Sequence, residues 1–277
     1  MNTLNCRGTL LDISQPIVMG ILNVTPDSFY DGGEYQQAED MQEQVRAMVG
    51  AGVDIIDIGG MSSKPGSEII EESEELGRVL PVVQWIATEY PQQLLSIDTI
   101  HASVAEACME AGAHMINDIS GGDHDPSIVD VAVRAGAPYI LMHMQGRPKT
   151  MQLEPTYQDV VLEVLQDLNT KVRKYRAKGL KDIVLDPGFG FGKTVEQNYE
   201  LLSRLAVFQI AECPVLAGLS RKSMIYKVLD TTADNALHGS TALHMVALQN
   251  GAKILRVHDV KEAKQCIALY HQLSQVK

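Results

Sequence analysis

Short apolar runs rich in β-branched residues alternate with amphipathic stretches along the whole chain, the pattern of strand-helix units built on a mainly parallel sheet. Eight runs stand out: PIVMGILN (16–23), VDIIDIG (53–59), QLLSIDT (93–99), AHMIND (113–118), PYILMH (138–143), DIVLDPG (182–188), PVLAGLS (214–220) and KILRVHD (253–259). Their polar ends recur about every 33 residues, the length of one βα unit. Eight such units predict an α/β protein, a single (β/α)8 TIM barrel spanning 1–277. A doubly wound open sheet would show the same alternation, but no G-x-G-x-x-G follows the first run, and eight units close a barrel.

Between the runs the period becomes helical. Ala38, Met41, Val45, Met48 and Val49 fall on one face, as do Cys266, Ile267, Tyr270 and Leu273, and both stripes are expected to face the core. The segments AGVD, AGAH, AGAP and NGAK, starting at 51, 111, 135 and 250, place Gly just past a helical stretch, where a left-handed cap is required. The next strand follows at once, so helix-to-strand connections are short. The connections leaving the first two strands are long and Gly-rich, VTPDSFYDGGEY (24–35) and GGMSSKPGSE (59–68), which suits mobile lids and puts function at the C-terminal ends of the strands.

Composition narrows the partners. The chain is 45% hydrophobic and 21% charged, enough apolar residue for a sizeable core, and its 23 basic against 35 acidic residues give a net charge of −12. Such a surface repels a phosphate backbone or an anionic bilayer, so neither nucleic acid nor membrane is expected as a partner. No apolar run reaches the roughly 20 residues of a membrane helix, and no basic segment feeding an apolar stretch opens the chain, so a cytoplasmic location is expected. Cys6, Cys108, Cys213 and Cys266 lie far apart without metal-ligand spacing and read as reduced core or surface residues.

The strand ends are unusually polar. Asn23, Asp57, Asp98, Asn117, Asp186 and the pair Arg256/His258 end six of the runs, and Lys222 follows a seventh. Any one of them alone reads better as a helix N-cap or a satisfied buried group than as a site residue. In a barrel they share one mouth. Buried carboxylates and an amide require a donor-rich ligand, so Asp98, Asn117 and Asp186 suit a flat heterocycle with a guanidine-like edge. Arg256, His258, Lys64 and loop amides present the opposite polarity, suited to an anionic or phosphorylated tail.

Two motifs need separating from look-alikes. IVLDPGFGFGKT (183–194) ends like a P-loop, but Pro187 stands where that loop requires Gly. GLSRKSMI (218–225) sets Arg221, Lys222 and Ser223 where a strand gives way to a helix, a place for a carboxylate or phosphate. Lys222 also reads as a Schiff-base lysine, though without an evident acid/base dyad beside it. His143 has no second histidine at ligand spacing and reads as structural. The residues alone point to a barrel lyase or transferase with a phosphorylated substrate.

Taken together, MGILNVTPDSFYDGG (19–33), DIIDIGG with SSKPG (54–66), SIDT (96–99), INDISGG (116–122), DPGFGFGK (186–193), GLSRKS (218–223) and RVHD (256–259) resemble, in order and over essentially the whole chain, the motifs of the dihydropteroate synthase family. That resemblance implies a usually homodimeric (β/α)8 barrel that joins 6-hydroxymethyl-7,8-dihydropterin diphosphate to p-aminobenzoate, releases diphosphate, and is inhibited by sulfonamides. It implies that Asp98, Asn117, Asp186 and Lys222 hold the pterin, with Arg256 flanking its ring. Asn23 would coordinate Mg2+ carried by the diphosphate, which Ser63, Lys64, Arg256 and His258 would contact, while Asp57 orients the region. Phe29, Pro65, Phe191, Arg221 and Ser223 would line the p-aminobenzoate site, with Met142 a further substrate contact. Lys222, Asp57, Arg256 and His258 are then the catalytic candidates, in a reaction dominated by stabilisation of the leaving group. The family reads GGESTRPG in its second loop where this chain has GGMSSKPG, so Met61, Ser63 and Lys64 replace Glu, Thr and Arg. The hydroxyl and the charge are kept and the bidentate fork is lost. A folate-binding methyltransferase domain and a catalytically silent pterin-binding paralogue remain as alternatives.

Overall fold

The computed structural model describes residues 2–24, 35–61, 68–146 and 155–276. An antiparallel hairpin of β1 (Thr3–Cys6) and β2 (Thr9–Asp12) precedes eight parallel strands: β3 (Ile17–Asn23), β4 (Ile55–Gly59), β5 (Leu94–Asp98), β6 (Met115–Asp118), β7 (Tyr139–Met142), β8 (Ile183–Asp186), β9 (Leu216–Ala217) and β10 (Ile254–Val257). Each of the eight parallel strands falls within one of the eight apolar runs. Neighbours follow the order β8-β7-β6-β5-β4-β3-β10-β9. A bridge between Leu185 and Val215, with Leu185 N donating to Pro214 O at 2.8 Å, joins β8 to β9 and closes the barrel. β9 is short where Pro214, without an amide hydrogen, precedes it.

The helices cover the outside: α1 (Tyr35–Gly50), α2 (Glu72–Glu89), α3 (Ala102–Glu110), α4 (Ser127–Ala135), α5 (Val160–Ala177), α6 (Val195–Ser203), α7 (Ser223–Tyr226), α8 (Leu237–Gln249) and α9 (Val260–Ser274). Their starts follow from side-chain caps where the sequence offers them. Asp159 accepts from Val161 N and Leu162 N at the start of α5, and Thr194 with Gln197 forms a capping box at α6. Gly52, Gly112, Gly136 and Gly251 all have positive φ, as the four repeated tetrapeptides predict.

The two-residue period of the strands sorts the interior into layers. Outward residues such as Val18, Ile56, Leu95, Ile116, Leu141 and Leu255 join the helices in one core. Inward residues near the strand starts, including Met19, Ile55, Met115, Ile140 and Val184, form a second core inside the barrel. Each fully buried aliphatic side chain there contributes ~1.5–3 kcal/mol. The hairpin closes the bottom of this inner core with Leu4, Cys6 and Ile13, and Arg7 Nη1 ties it to Met109 O at 2.6 Å and Ala113 O at 2.8 Å.

The α1 stripe is buried at Met41, Val45 and Met48, with Val49 packed against the same core; the side chain of Ala38 lies outside the described ones. In α9 the stripe holds for Cys266, Ile267 and Tyr270 but not for Leu273, which is half exposed in the last turn near the end of the chain. All four cysteines are free and buried. Among the described residues no helix is long and apolar enough to cross a membrane.

Candidate active site at the C-terminal ends of the strands

The inward period that builds the apolar layer ends, one or two steps further along each strand, in polar residues. Arg256 on β10 is at their centre. Its Nε donates to Asp57 Oδ2 at 2.6 Å and its Nη2 to Asp98 Oδ2 at 2.6 Å, while Asn117 Nδ2 donates to the same Asp57 oxygen at 2.9 Å. Burial opposes the charge on Arg256, but the Asp57 and Asp98 carboxylates hold the guanidinium well above its ordinary range. Burial pushes the Asp98 carboxyl up to about 7; Arg256 draws it down, and Asp57 pushes it further up. Asp57 Oδ1 is buried with no hydrogen-bond partner among the described residues, an acceptor left for a donor.

Across the mouth, Asp186 ends β8. Its Oδ1 accepts from Gly188 N at 2.7 Å, and burial raises its carboxyl against the opposing pull of Lys222. Gly188 has φ +70, and a Cβ there would run into the His143 carbonyl, so only glycine permits this turn. Lys222 Nζ donates to Phe189 O and lies 4.5 Å from the centroid of the Phe191 ring, and burial pushes its ammonium down to about 8. A Cβ at Gly218 would stand 3.8 Å from Lys222 Nζ and 3.9 Å from Asp186 Oδ2. The missing side chain therefore leaves both groups open to a flat ligand.

Phe191 also belongs to an apolar patch with Ile100, Ile119 and Met142, against which Met61 and Met144 pack. His258 pairs its Nδ1 with Ser220 Oγ at 3.0 Å. Arg221 makes a bidentate pair with Asp259, Nε to Oδ2 at 2.9 Å and Nη2 to Oδ1 at 2.7 Å, with its backbone at φ +56 and its amide on Ser240 Oγ. Ser223 opens α7, which is a single turn of four residues, so a helix dipole adds little to anion binding there. Asn23 is exposed at the end of β3, paired in register with Gly59. Phe29, Ser63, Lys64 and Pro65 lie outside the described residues.

Two buried polar groups beside the site escaped the sequence reading. Lys193 stands in the P-loop look-alike and closes the DPGFGFGK motif without a role of its own there, yet its ammonium is buried on three neutral acceptors. Glu75 Oε2 accepts from Thr99 Oγ1 and pairs with His101 Nδ1, both at 2.8 Å, directly behind Asp98. Its signal is legible in retrospect: Glu75, four residues before Val79, begins the buried stripe that Val79, Val82, Val83 and Ile86 continue on α2. Among the described residues no group of three His, Cys, Asp or Glu could hold a metal ion.

The model of a family described as pterin binding enzyme matches residues 19–258. The dihydropteroate synthase of Escherichia coli (strain K12) is 45% identical over 263 residues, covering 94% of this chain and 93% of that protein. That of Haemophilus influenzae is 43% identical over 262 residues, covering 94% of each. Among solved structures, Yersinia pestis dihydropteroate synthase in a sulfonamide drug complex superimposes with a TM-score of 0.92 at 41% identity, covering 99% of each chain. Xanthomonas albilineans dihydropteroate synthase in complex with 7,8-dihydropteroate gives a TM-score of 0.87 at 36% identity, covering 98% of each.

Proposed function

The chain belongs to the pterin binding enzyme family, and from that premise we propose that it is a dihydropteroate synthase, a transferase of folate biosynthesis that joins 6-hydroxymethyl-7,8-dihydropterin diphosphate to p-aminobenzoate and releases diphosphate. The observation that carries this reading is the pairing of opposite polarities in one mouth: Asp98, Asn117 and Asp186 beside Arg256 and Lys222, in a chain that matches synthases along its length.

The carboxylates and the amide take the donor edge of the pterin, and Arg256 and Lys222 flank its ring. Arg256 and His258, with Ser63 and Lys64, take the diphosphate, and Asp57 orients Arg256 through the 2.6 Å pair. The apolar patch at Met142 and Phe191, with Phe29, Pro65, Arg221 and Ser223, receives the arylamine. The electron-rich dihydropterin expels diphosphate as the C–O bond breaks, leaving a stabilised methylene cation. The arylamine nitrogen attacks it, the C–N bond forms, and the nitrogen gives up a proton. Little acid or base work is needed, so charge stabilisation of the leaving group is the larger contribution.

Mg2+ fits this site as an ion that arrives with the diphosphate. Asn23 offers one neutral oxygen, and Mg2+ ordinarily completes its shell with water and substrate phosphate. Held there, it would neutralise the leaving group. The reading also carries a homodimer, checked by sedimentation of the purified chain, a cytoplasmic location, and competition between sulfonamides and p-aminobenzoate. It is tested by following diphosphate release from the pterin diphosphate with Mg2+: release that depends on added p-aminobenzoate is expected, and release independent of it, or none, overturns the reading. A methyltransferase domain would bind a methylfolate and would have no use for the cations that face a diphosphate.

A further inference from the structure

The turn between Asp186 and Thr194 is fastened more firmly than the roles above require. Lys193 closes it, buried, and donates to His143 Nδ1 at 3.1 Å, Gly188 O at 3.0 Å and Phe191 O at 3.0 Å. An ammonium has three donors, so the set is complete. All three acceptors are neutral, a costly way to bury a cation; an unbranched apolar side chain would fill the same space without that desolvation cost. Burial accordingly pushes Lys193 down to about 7, with Asp186 opposing and Lys222 reinforcing the shift. Burial and the Lys193 charge push His143 down to about 3, so its ring is neutral and accepts at Nδ1.

The acceptors mark out what the cation holds. Gly188 O and Phe191 O are the two ends of the turn, already joined by Phe191 N to Gly188 O at 3.1 Å, and His143 sits just past β7 with its amide on Asp186 O at 3.0 Å. Asn198 supports the middle, accepting from Gly190 N at 2.7 Å and donating to Thr194 O at 2.6 Å. The turn in its turn supplies the Phe191 ring beneath Lys222 and the Phe189 carbonyl that Lys222 bonds.

Resting on the synthase reading, we propose that Lys193 is a positioning residue: through Gly188 O, Phe191 O and His143 it fixes the Phe191 wall of the arylamine site. It touches neither substrate. Removing it loosens the wall while leaving the donor and acceptor pattern for the pterin in place.

Lys193→Met in the full chain keeps the stem and deletes the donors. Well below the unfolding temperature, KM for p-aminobenzoate is expected to rise about tenfold or more, while Kd for the pterin diphosphate moves less than about threefold. In ligand-free protein, amide hydrogen exchange over residues 188–191 is expected to quicken about tenfold, with β8 keeping its protection. A folded variant whose p-aminobenzoate KM stays within about twofold of wild type overturns the proposal. If the wild type shows no turnover, the synthase reading has failed instead, and exchange alone decides: quickened exchange over 188–191 supports the positioning role, and unchanged exchange overturns it. Should Lys193→Met not fold, His143→Leu removes one acceptor only; a KM rise of about threefold is expected, and no rise in KM contradicts the proposal.

Discussion

Arg256 is held by two carboxylates that could each serve a ligand, and that shared use sets how the site responds to substitution. Removing Asp186 deletes a buried acceptor from the pterin edge without touching Arg256, so Asp186→Ala is expected to weaken pterin binding by several kcal/mol, beyond calorimetric detection. Wild-type affinity in that variant would sink the pocket assignment. Asp98 adds a pH dependence. Its carboxyl is raised from 3.8 to about 7, so the acceptor is protonated as pH falls through about 7 rather than through the ordinary carboxylate range. Pterin affinity is therefore expected to fall about tenfold per pH unit below that point, measured by titration between pH 5.5 and 8, and a flat profile would mean that Asp98 does not accept from the pterin as a carboxylate. Asn23 offers a single neutral oxygen ligand, so Mg2+ and diphosphate should tighten each other's binding by the same factor, and Asn23→Ala should erase most of it. Equal coupling in wild type and variant would remove Asn23 from the metal.

At the scale of elements, the parallel strands were legible because both their faces are buried, which writes each as a near-continuous apolar run. The site was legible in part for the same reason: Asp57, Asp98, Asn117 and Asp186 stand out at the ends of such runs, whereas Asp118, equally polar and buried, accepts from Tyr139 Oη and from the Ser120 and Gly122 amides. The hairpin was not. Its strands have four residues each with Thr3, Asn5 and Thr9 exposed, and its turn is Arg7-Gly8 at φ +55 and +103 rather than the commoner Asn-Gly. β9 and α7 are too short for any period to register, so what surrounds Lys222 had to come from the structure. Lys193 was hidden because a lysine after glycines gives no sign of burial. The hairpin nonetheless closes the inner core. Leu4→Ala is expected to cost ~2–5 kcal/mol in denaturant unfolding while leaving KM and kcat unchanged at a temperature where the variant is folded, since Leu4 lies at the opposite end of the barrel from the site. A loss under about 1 kcal/mol would mean the hairpin is not part of the core.

At the scale of the whole molecule, a protein of net charge −12 sets Arg256 and Lys222 among the carboxylates of Asp57, Asp98 and Asp186 at one end of its barrel. On the synthase reading the mouth takes one small anion, above the apolar layer inside the barrel. A silent paralogue would retain the same apolar layer and the same pterin edge, so binding alone does not separate the readings; conversion does. The deciding measurement is the stoichiometry of products after incubation of the purified chain with 6-hydroxymethyl-7,8-dihydropterin diphosphate, p-aminobenzoate and Mg2+. Dihydropteroate and diphosphate formed in equal amounts, by the wild type and not by Asp186→Ala, is the predicted result, and a folded protein that binds the pterin diphosphate yet forms neither product would contradict it.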